Sequence, residues 1–167
     1  IKFSPVIKIN SKGEILDSVI GDHNLWWHFR DTEKYSCKKC SAPSRRIMKV
    51  IIGHKLGQFE DFSIQNLSCP EPLAGQVQVE VHCAGVTFVD ALIASGRHQV
   101  AVDLPFIPGN EVSGVICGLG QGAEKFSVGD RVACVGVGGK YAEVINVTES
   151  SVLKIPDSLP FAEASVF

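Results

Sequence analysis

The most direct metal-binding or redox spacing in the sequence is that of Cys37 and Cys40, which are separated by two lysines. Such a pair can supply half of a zinc site or form a redox-active dithiol, because thiolates are both metal ligands and nucleophiles. A second Cys pair or an HxxxH motif would be needed to complete a zinc site, and neither accompanies it. Chance spacing in a polar tail is therefore favoured, with half a zinc site or a redox pair as the alternative.

A second candidate is the glycine-rich run Gly118-Leu119-Gly120-Gln121-Gly122. Dinucleotide-binding loops place such glycines where a strand passes into a helix, so that backbone amides can approach a pyrophosphate. This run lacks the last spacing, and no helical pattern follows it. It therefore predicts a turn between strands, and the sequence contains no Rossmann βαβ unit.

Composition narrows the class of protein. A net charge of -2 and a pI near 6.2 give no electrostatic reason to expect a nucleic-acid partner. The longest uncharged run, residues 112–123, is too short and too rich in glycine to span a bilayer, so no membrane partner is expected. Cysteines outside the CxxC pair lie among apolar or strand residues and are predicted to be small buried side chains, which favours a reducing compartment. The cytoplasm is expected, with a mitochondrial location as the alternative.

A change in charge marks a boundary at Met48. Residues 1–47 hold nine Lys/Arg and five Asp/Glu, whereas residues 48–167 hold seven and thirteen. Residues 1–47 are predicted to be an N-terminal extension, poorly ordered or only loosely docked, with a short strand over residues 6–9. Residues 48–167 are predicted to form the folded domain.

The pattern from Met48 onward is that of many short strands separated by Gly and Pro. The clearest is residues 76–82, where valines alternate with polar residues, so that one face is buried. Such strands suggest a partly open barrel or a sandwich. Near the end, Pro160 with Ser158 as N-cap predicts the start of a helix. Strands are predicted over residues 49–52, 62–66, 76–82, 112–119, 131–135, 141–147 and 152–155.

An ordered succession of motifs runs through this domain: AGVTFVD (residues 84–90), LPFIPGNE (104–111), FSVGDRV (126–132), GGKYAE (138–143) and LKIP (153–156). It resembles the chaperonin-10-like (GroES-like) substrate domain of the medium-chain dehydrogenase/reductase superfamily, on the quinone oxidoreductase (zeta-crystallin-like) branch. The resemblance covers residues 48–167. It implies a mainly β fold, a partly open β-barrel with short helices, and a chain cut off before the Rossmann domain.

The same resemblance bears on metal. In zinc-dependent relatives, a Cys and a His hold the catalytic ion where this chain has Thr87 and Asn110. A neutral hydroxyl and a carboxamide are poor zinc ligands, and Glu111 alone cannot replace them. The four-Cys structural zinc lobe is also missing, because glycines occupy the stretch between Cys134 and Tyr141. No zinc is expected.

Without a Lewis acid, the resemblance implies reduction of an activated acceptor, a quinone or an enone, by hydride transfer from NADPH. It places Thr87 and Asp90 beside the nicotinamide as catalytic and cofactor-binding residues. Thr87 stands where relatives usually carry Asn, and its hydroxyl can still hydrogen-bond cofactor or substrate. For Asp90 the alternative is a cap on the short helix that follows.

Whether the chain is itself an enzyme stays open on this interpretation. As a substrate-domain fragment it is expected to be inactive and to bind NADPH weakly, while the full-length parent would be an active homodimer. The alternative is a stand-alone, non-catalytic GroES-like binding or interaction module.

Overall fold

A computed structural model describes residues 6–9, 15–19, 26–28, 47–57 and 59–166, the first three segments as backbone strands only. These residues contain ten strands, two short α-helices and short 3-10 helices, joined by loops. The α-helices are α1 (Phe88–Ala94) and α2 (Phe161–Ala164). The strands are β1 (Val6–Ile9), β2 (Ile15–Val19), β3 (Trp26–His28), β4 (Ile47–Gly53), β5 (Phe62–Ser68), β6 (Gln76–Gly85), β7 (Glu111–Leu119), β8 (Arg131–Val135), β9 (Val144–Thr148) and β10 (Val152–Lys154).

Strand β6 organises the main sheet. Its ten residues pair antiparallel with β7 along one edge, and β9 and β3 share the other edge, at residues 76–80 and 83–85. Beyond β7 the order continues through β8 to β10. Val77 and Val79 have no exposed surface and Val81 has 1 %, as the alternation of residues 76–82 predicts. The valine face of β6 therefore forms the centre of the core.

The β4–β5 hairpin closes part of the open side of the sheet. Ile51 donates its N–H to Tyr141 O at 2.9 Å, and Val50 forms an antiparallel bridge with Ala142. Gly53 exchanges two backbone hydrogen bonds with Phe106, each 2.9 Å. Buried Val50 and Ile52 thereby join the same core as β6. The result is a mainly β domain whose sheets curl into a partly open barrel, as expected from the resemblance.

Two details differ from the sequence-based predictions. The strand predicted to begin at Tyr141 begins at Val144, because residues 141–143 bond instead to β4. The predicted terminal helix is present as α2, but the N-cap is Pro160, and Ser158 as the cap was wrong. Pro160 suits that position because it has no N–H to leave unpaired, and its φ -59 and ψ 143 give the extended backbone typical of an N-cap.

The structure also bears on the predicted N-terminal strand, the cysteines and the glycine-rich run. The predicted strand at residues 6–9 is present, and backbone strands β2 and β3 also lie within residues 1–47. Cys83, Cys117 and Cys134 are buried as predicted, while Cys69 is half-buried. Cys37 and Cys40 lie outside the described residues. Gly118–Gly122 ends β7 and passes into a turn, as predicted.

Among the helices of the described residues, none has the length and apolar character needed to cross a membrane.

Replacing Ile116 by Ala tests the position of the core. Ile116 is 1 % exposed on β7, so the lost burial and the resulting cavity should lower the free energy of unfolding by about 2–5 kcal/mol. Leu153→Ala is the control, because Leu153 is 59 % exposed on β10, and its effect should stay within about 0.5 kcal/mol. Chemical denaturation of both variants measures the difference; equal effects would contradict this core.

Candidate active site

Three segments meet at one end of β6: the turn from Gly85 into α1, the loop through residues 105–110, and the turn at residues 136–141. Lys140 and Tyr141 both donate their N–H groups to Pro108 O, at 3.0 and 2.9 Å, and Gly136 donates to Asn110 O at 2.9 Å. Gly109 has φ +98, and a Cβ there would lie 2.8 Å from the Tyr141 nitrogen. Only glycine allows this approach, so the loops are locked by their backbones.

Asp90 lies where these segments meet, with 1 % of its surface exposed. Thr87 donates to its Oδ2 twice, from the backbone N at 2.7 Å and from Oγ1 at 2.9 Å. Asn110 Nδ2 donates to Oδ1 at 2.8 Å. A carboxylate taken out of water is tolerated only when such donors replace the lost hydration. Asp90 is therefore the centre of a buried polar cluster.

Asn110 links this carboxylate to the glycine-rich turn. Its side chain is 8 % exposed, with Nδ2 on Asp90 and Oδ1 accepting the Gly138 N–H at 3.0 Å. Both ends of the carboxamide are thus occupied, and the carboxylate on one side and the N–H on the other set its orientation. Asn110 acts here as a bridge between two loops.

Tyr141 completes the cluster. It is 5 % exposed, and its hydroxyl donates to Gly85 O at 3.1 Å. The same hydroxyl is close enough to Asp90 to hydrogen-bond it, so one proton can serve either acceptor. Burial, followed by the neighbouring Asp90 carboxylate, raises the pKa of Tyr141 above its usual range. We call Thr87, Asp90, Asn110, Gly138 and Tyr141 the Asp90 network.

Opposing effects act on the Asp90 carboxyl. Burial raises its pKa above the ordinary 3.8, and hydrogen bonds from Thr87, Tyr141 and the Gly109 backbone offset part of that rise. Since donors favour the ionised form and desolvation favours the neutral form, the net direction shows that desolvation is the larger effect.

Both sequence-predicted site residues lie in the network. Thr87 is half-buried at the N-cap of α1, and Asp90 is the third helical residue, where it caps the Thr87 N–H. The capping function proposed for Asp90 is thus present, from within the helix. In the sequence, Asn110 stands out only as a residue in place of a metal ligand, and Tyr141 has no predicted role. The glycines at positions 109 and 138 are the sequence signal that points to these neighbours.

No group of three or more His, Cys, Asp or Glu side chains within the described residues is arranged to hold a metal ion. Glu111, at the start of β7, is half-buried and pairs in register with Val135. The carboxylate, carboxamide and hydroxyl groups of the Asp90 network hydrogen-bond to one another. The arrangement is therefore suited to orienting hydrogen-bonding groups.

Residues 73–157 match the profile of the family described as Alcohol dehydrogenase GroES-like domain. The chain is 38% identical over 122 residues to the quinone oxidoreductase-like protein 2 homolog of Nematostella vectensis, covering 72% of this chain and 32% of that protein. It is 33% identical over 126 residues to the quinone oxidoreductase of Sus scrofa, covering 74% and 38%. The chain thus spans less than two fifths of these relatives.

Solved structures agree on the fold. The Escherichia coli quinone oxidoreductase complexed with NADPH superposes with a TM-score of 0.64 at 26% identity, covering 71% of this chain and 37% of that one. The human synaptic vesicle membrane protein VAT-1 homolog-like protein gives a TM-score of 0.70 at 29% identity, covering 73% and 40%.

Titration of two aspartates tests the electrostatics of the network. The Asp90 carboxyl should titrate above 3.8 because burial raises its pKa, and half-buried Asp130 should titrate below 3.8 because its hydrogen bond from Lys154 lowers its pKa. NMR of the side-chain carboxyl carbons reads both in one sample.

The sign for stability follows by linkage. The pKa of Asp90 is higher in the folded state than the ordinary 3.8. The free energy of unfolding therefore falls as pH rises from 3.8 to the folded-state pKa, and the full loss is present above that pKa. Asp90→Asn should remove this pH-dependent component, as measured by denaturation at several pH values. An unchanged pH profile in the variant would contradict the assignment.

Proposed function

The chain belongs to the alcohol dehydrogenase GroES-like domain family, on the quinone oxidoreductase branch of the medium-chain dehydrogenases/reductases, and we propose that it is the substrate domain of a zinc-independent, NADPH-dependent reductase of quinones or activated enones. The observation that carries the proposal is the Asp90 network, with the half-buried Thr87 hydroxyl at its edge.

The occupied carboxamide of Asn110 supports independence from zinc. Turning Asn110 toward a metal would break its bonds to Asp90 Oδ1 and Gly138 N. A buried carboxylate and a buried N–H would then each lose a partner, at about 1–3 kcal/mol apiece. The residue in the second ligand position is thus committed to the fold. Reduction of a quinone or enone needs no Lewis acid, since these acceptors delocalise the charge they receive.

Thr87 suits the nicotinamide side of a cofactor site. Its hydroxyl proton is directed to Asp90 Oδ2, which leaves the oxygen lone pairs to accept a hydrogen bond from a carboxamide NH2. Hydride is what NADPH supplies when bound. The chain's own residues would orient the ring and the acceptor: Asp90 fixes Thr87 through two contacts, and Asn110 and Tyr141 fix Asp90.

Two residues that adjoin network residues in sequence have exposed apolar side chains, which favours a flat hydrophobic acceptor. Phe88, next to Thr87, is 68% exposed, and Val137, between the two glycines that bond Asn110, is 59% exposed. Aromatic and aliphatic surface of this kind binds planar rings by burial and stacking. Quinones and enones fit this surface better than a charged substrate does.

The remainder of a dinucleotide site has no counterpart in the described residues. Their strand pairings are antiparallel, and the Gly118–Gly122 run leads into a turn. We therefore propose that a nucleotide-binding domain follows in the full-length parent, which would be a cytoplasmic homodimer. Sequencing the transcript past Phe167 tests this: an open frame carrying a Gly-rich βαβ unit is expected. An immediate stop codon, together with ligand binding without NADPH oxidation, would instead identify a stand-alone binding module.

Thr87→Val in the full-length parent tests the residue assignment. The change keeps the shape and removes the hydroxyl, so kcat/KM for NADPH-dependent reduction of 1,4-benzoquinone should fall by roughly threefold to tenfold, the value of one neutral hydrogen bond. Thr148→Val is the matched control, because Thr148 is exposed and its hydroxyl hydrogen-bonds, within the part of the chain that the structure describes, to Ser150 and Ser151. Equal rates for the two variants would count against Thr87 as a site residue.

A further inference from the structure

Lys140 is buried, in contrast to Lys55 and Lys154. It is 6 % exposed, whereas the side chains of Lys55 and Lys154 are 70% and 65% exposed in salt bridges with Asp61 and Asp130. Lysine is among the residues least often buried, because its amine loses hydration that must be replaced. A compensating interaction is therefore needed.

That interaction is with the backbone of the turn at residues 136–139. Lys140 Nζ donates to Gly138 O at 3.0 Å, and a Cβ on Gly136 would lie 3.1 Å from Nζ. The absence of a side chain at Gly136 thus leaves room for the amine. The main chain of Lys140 is held separately, by its N–H on Pro108 O. The side chain folds back under its own turn.

Among the described residues, no carboxylate forms a salt bridge with Lys140. Cys134 is a titratable group that acts electrostatically on Lys140; it is fully buried, and burial raises the pKa of its thiol to about 12. That thiol is neutral at pH 7 and supplies no counter-charge. Burial also lowers the pKa of Lys140. The Gly138 carbonyl is therefore the partner on which the amine depends.

Gly138 carries this contact into the Asp90 network. Its carbonyl accepts from Lys140, while its N–H donates to Asn110 Oδ1 at 3.0 Å. With φ +70 and a would-be Cβ 2.6 Å from the Phe106 ring, the position requires glycine. Asn110 in turn donates to Asp90 at 2.8 Å. A continuous chain of hydrogen bonds thus connects Lys140 to the carboxylate.

We infer that Lys140 is a positioning residue for the Asp90 network: its buried amine holds the residue 136–139 turn in the conformation that orients Asn110 against Asp90. The inference rests on the proposed function only in regarding that network as the substrate site. Its test below uses neither NADPH nor a quinone, so it can fail while the proposed function stands, and the reverse.

Lys140→Met in the 167-residue chain removes the donors and keeps the length of the side chain. The Gly138 amide should exchange with solvent roughly tenfold faster or more, the value of one lost hydrogen bond in a local opening. The Asn110 side-chain amide signals should shift in the same variant. Lys140→Arg keeps a donor and should restore part of the protection. Amide hydrogen exchange and nitrogen-resolved NMR measure both.

Lys154→Met is the matched control, because the Lys154 side chain is 65% exposed, and this substitution should alter Gly138 exchange by no more than about twofold. Unchanged Gly138 and Asn110 signals in Lys140→Met would overturn the inference, and so would a uniform acceleration of exchange across all strands. If neither Lys140 variant folds, the wild-type chain decides: a resolved scalar coupling between Lys140 Nζ and the Gly138 carbonyl carbon supports the inference, and its absence overturns it.

Discussion

Burial of the Asp90 carboxyl is the constraint on which the rest of the domain depends. A carboxylate with 1 % exposure has to recover from the protein the hydrogen bonds it gives up to water. No single segment supplies them. The donors are Thr87 at the start of α1, Asn110 in the loop before β7 and Tyr141 at the end of the turn after β8, so these elements must meet at the carboxylate. The polar site and the barrel are in this sense one structure.

Locking of the loops by glycine follows from the same requirement. Asn110 reaches both Asp90 and Gly138 only if the two loops approach more closely than side chains allow. Gly109 and Gly138 provide that approach, one against Tyr141 and the other against Ile107. A half-buried hydroxyl at Thr87 is then the polar group left at the edge of a rigid cluster. Because these donors and acceptors are already oriented, ligand binding requires little free energy of reorganisation.

Much of the barrel could be predicted from local pattern. Residues 76–82 alternate strictly, because β6 has one face on the core, and the structure buries the valines as the alternation requires. Local pattern fails where a segment's partner is distant in sequence. Tyr141 reads as strand, but its backbone bonds to β4, some ninety residues earlier in the chain. Ser158 reads as a cap, but Pro160 lies closer to the first helical residue.

The site was less accessible to sequence reasoning. Thr87 and Asp90 were identified through a family resemblance, and their contact is local, three residues apart. Asn110 contacts Asp90 across twenty residues and Gly138 across twenty-eight, and neither separation leaves a periodic signal. Lys140 is the sharpest case, because a lysine after two glycines is typical of an exposed turn. Its amine is buried beside Gly136, where a side chain would come within 3.1 Å of Nζ, and this proximity is visible only in three dimensions.

The order of strands has a consequence for how the molecule meets other copies of itself. The main sheet ends in β10 on one side and in β9 and β3 on the other, and these strands are three to five residues long. Long, flat outer strands present a row of unpaired N–H and C=O groups, with which a strand of a second chain can pair. Here the longest strand, β6, lies in the interior with both edges paired. The sheet thus keeps its most extended hydrogen-bonding surface away from solvent, and its short outer strands give intermolecular pairing little to build upon.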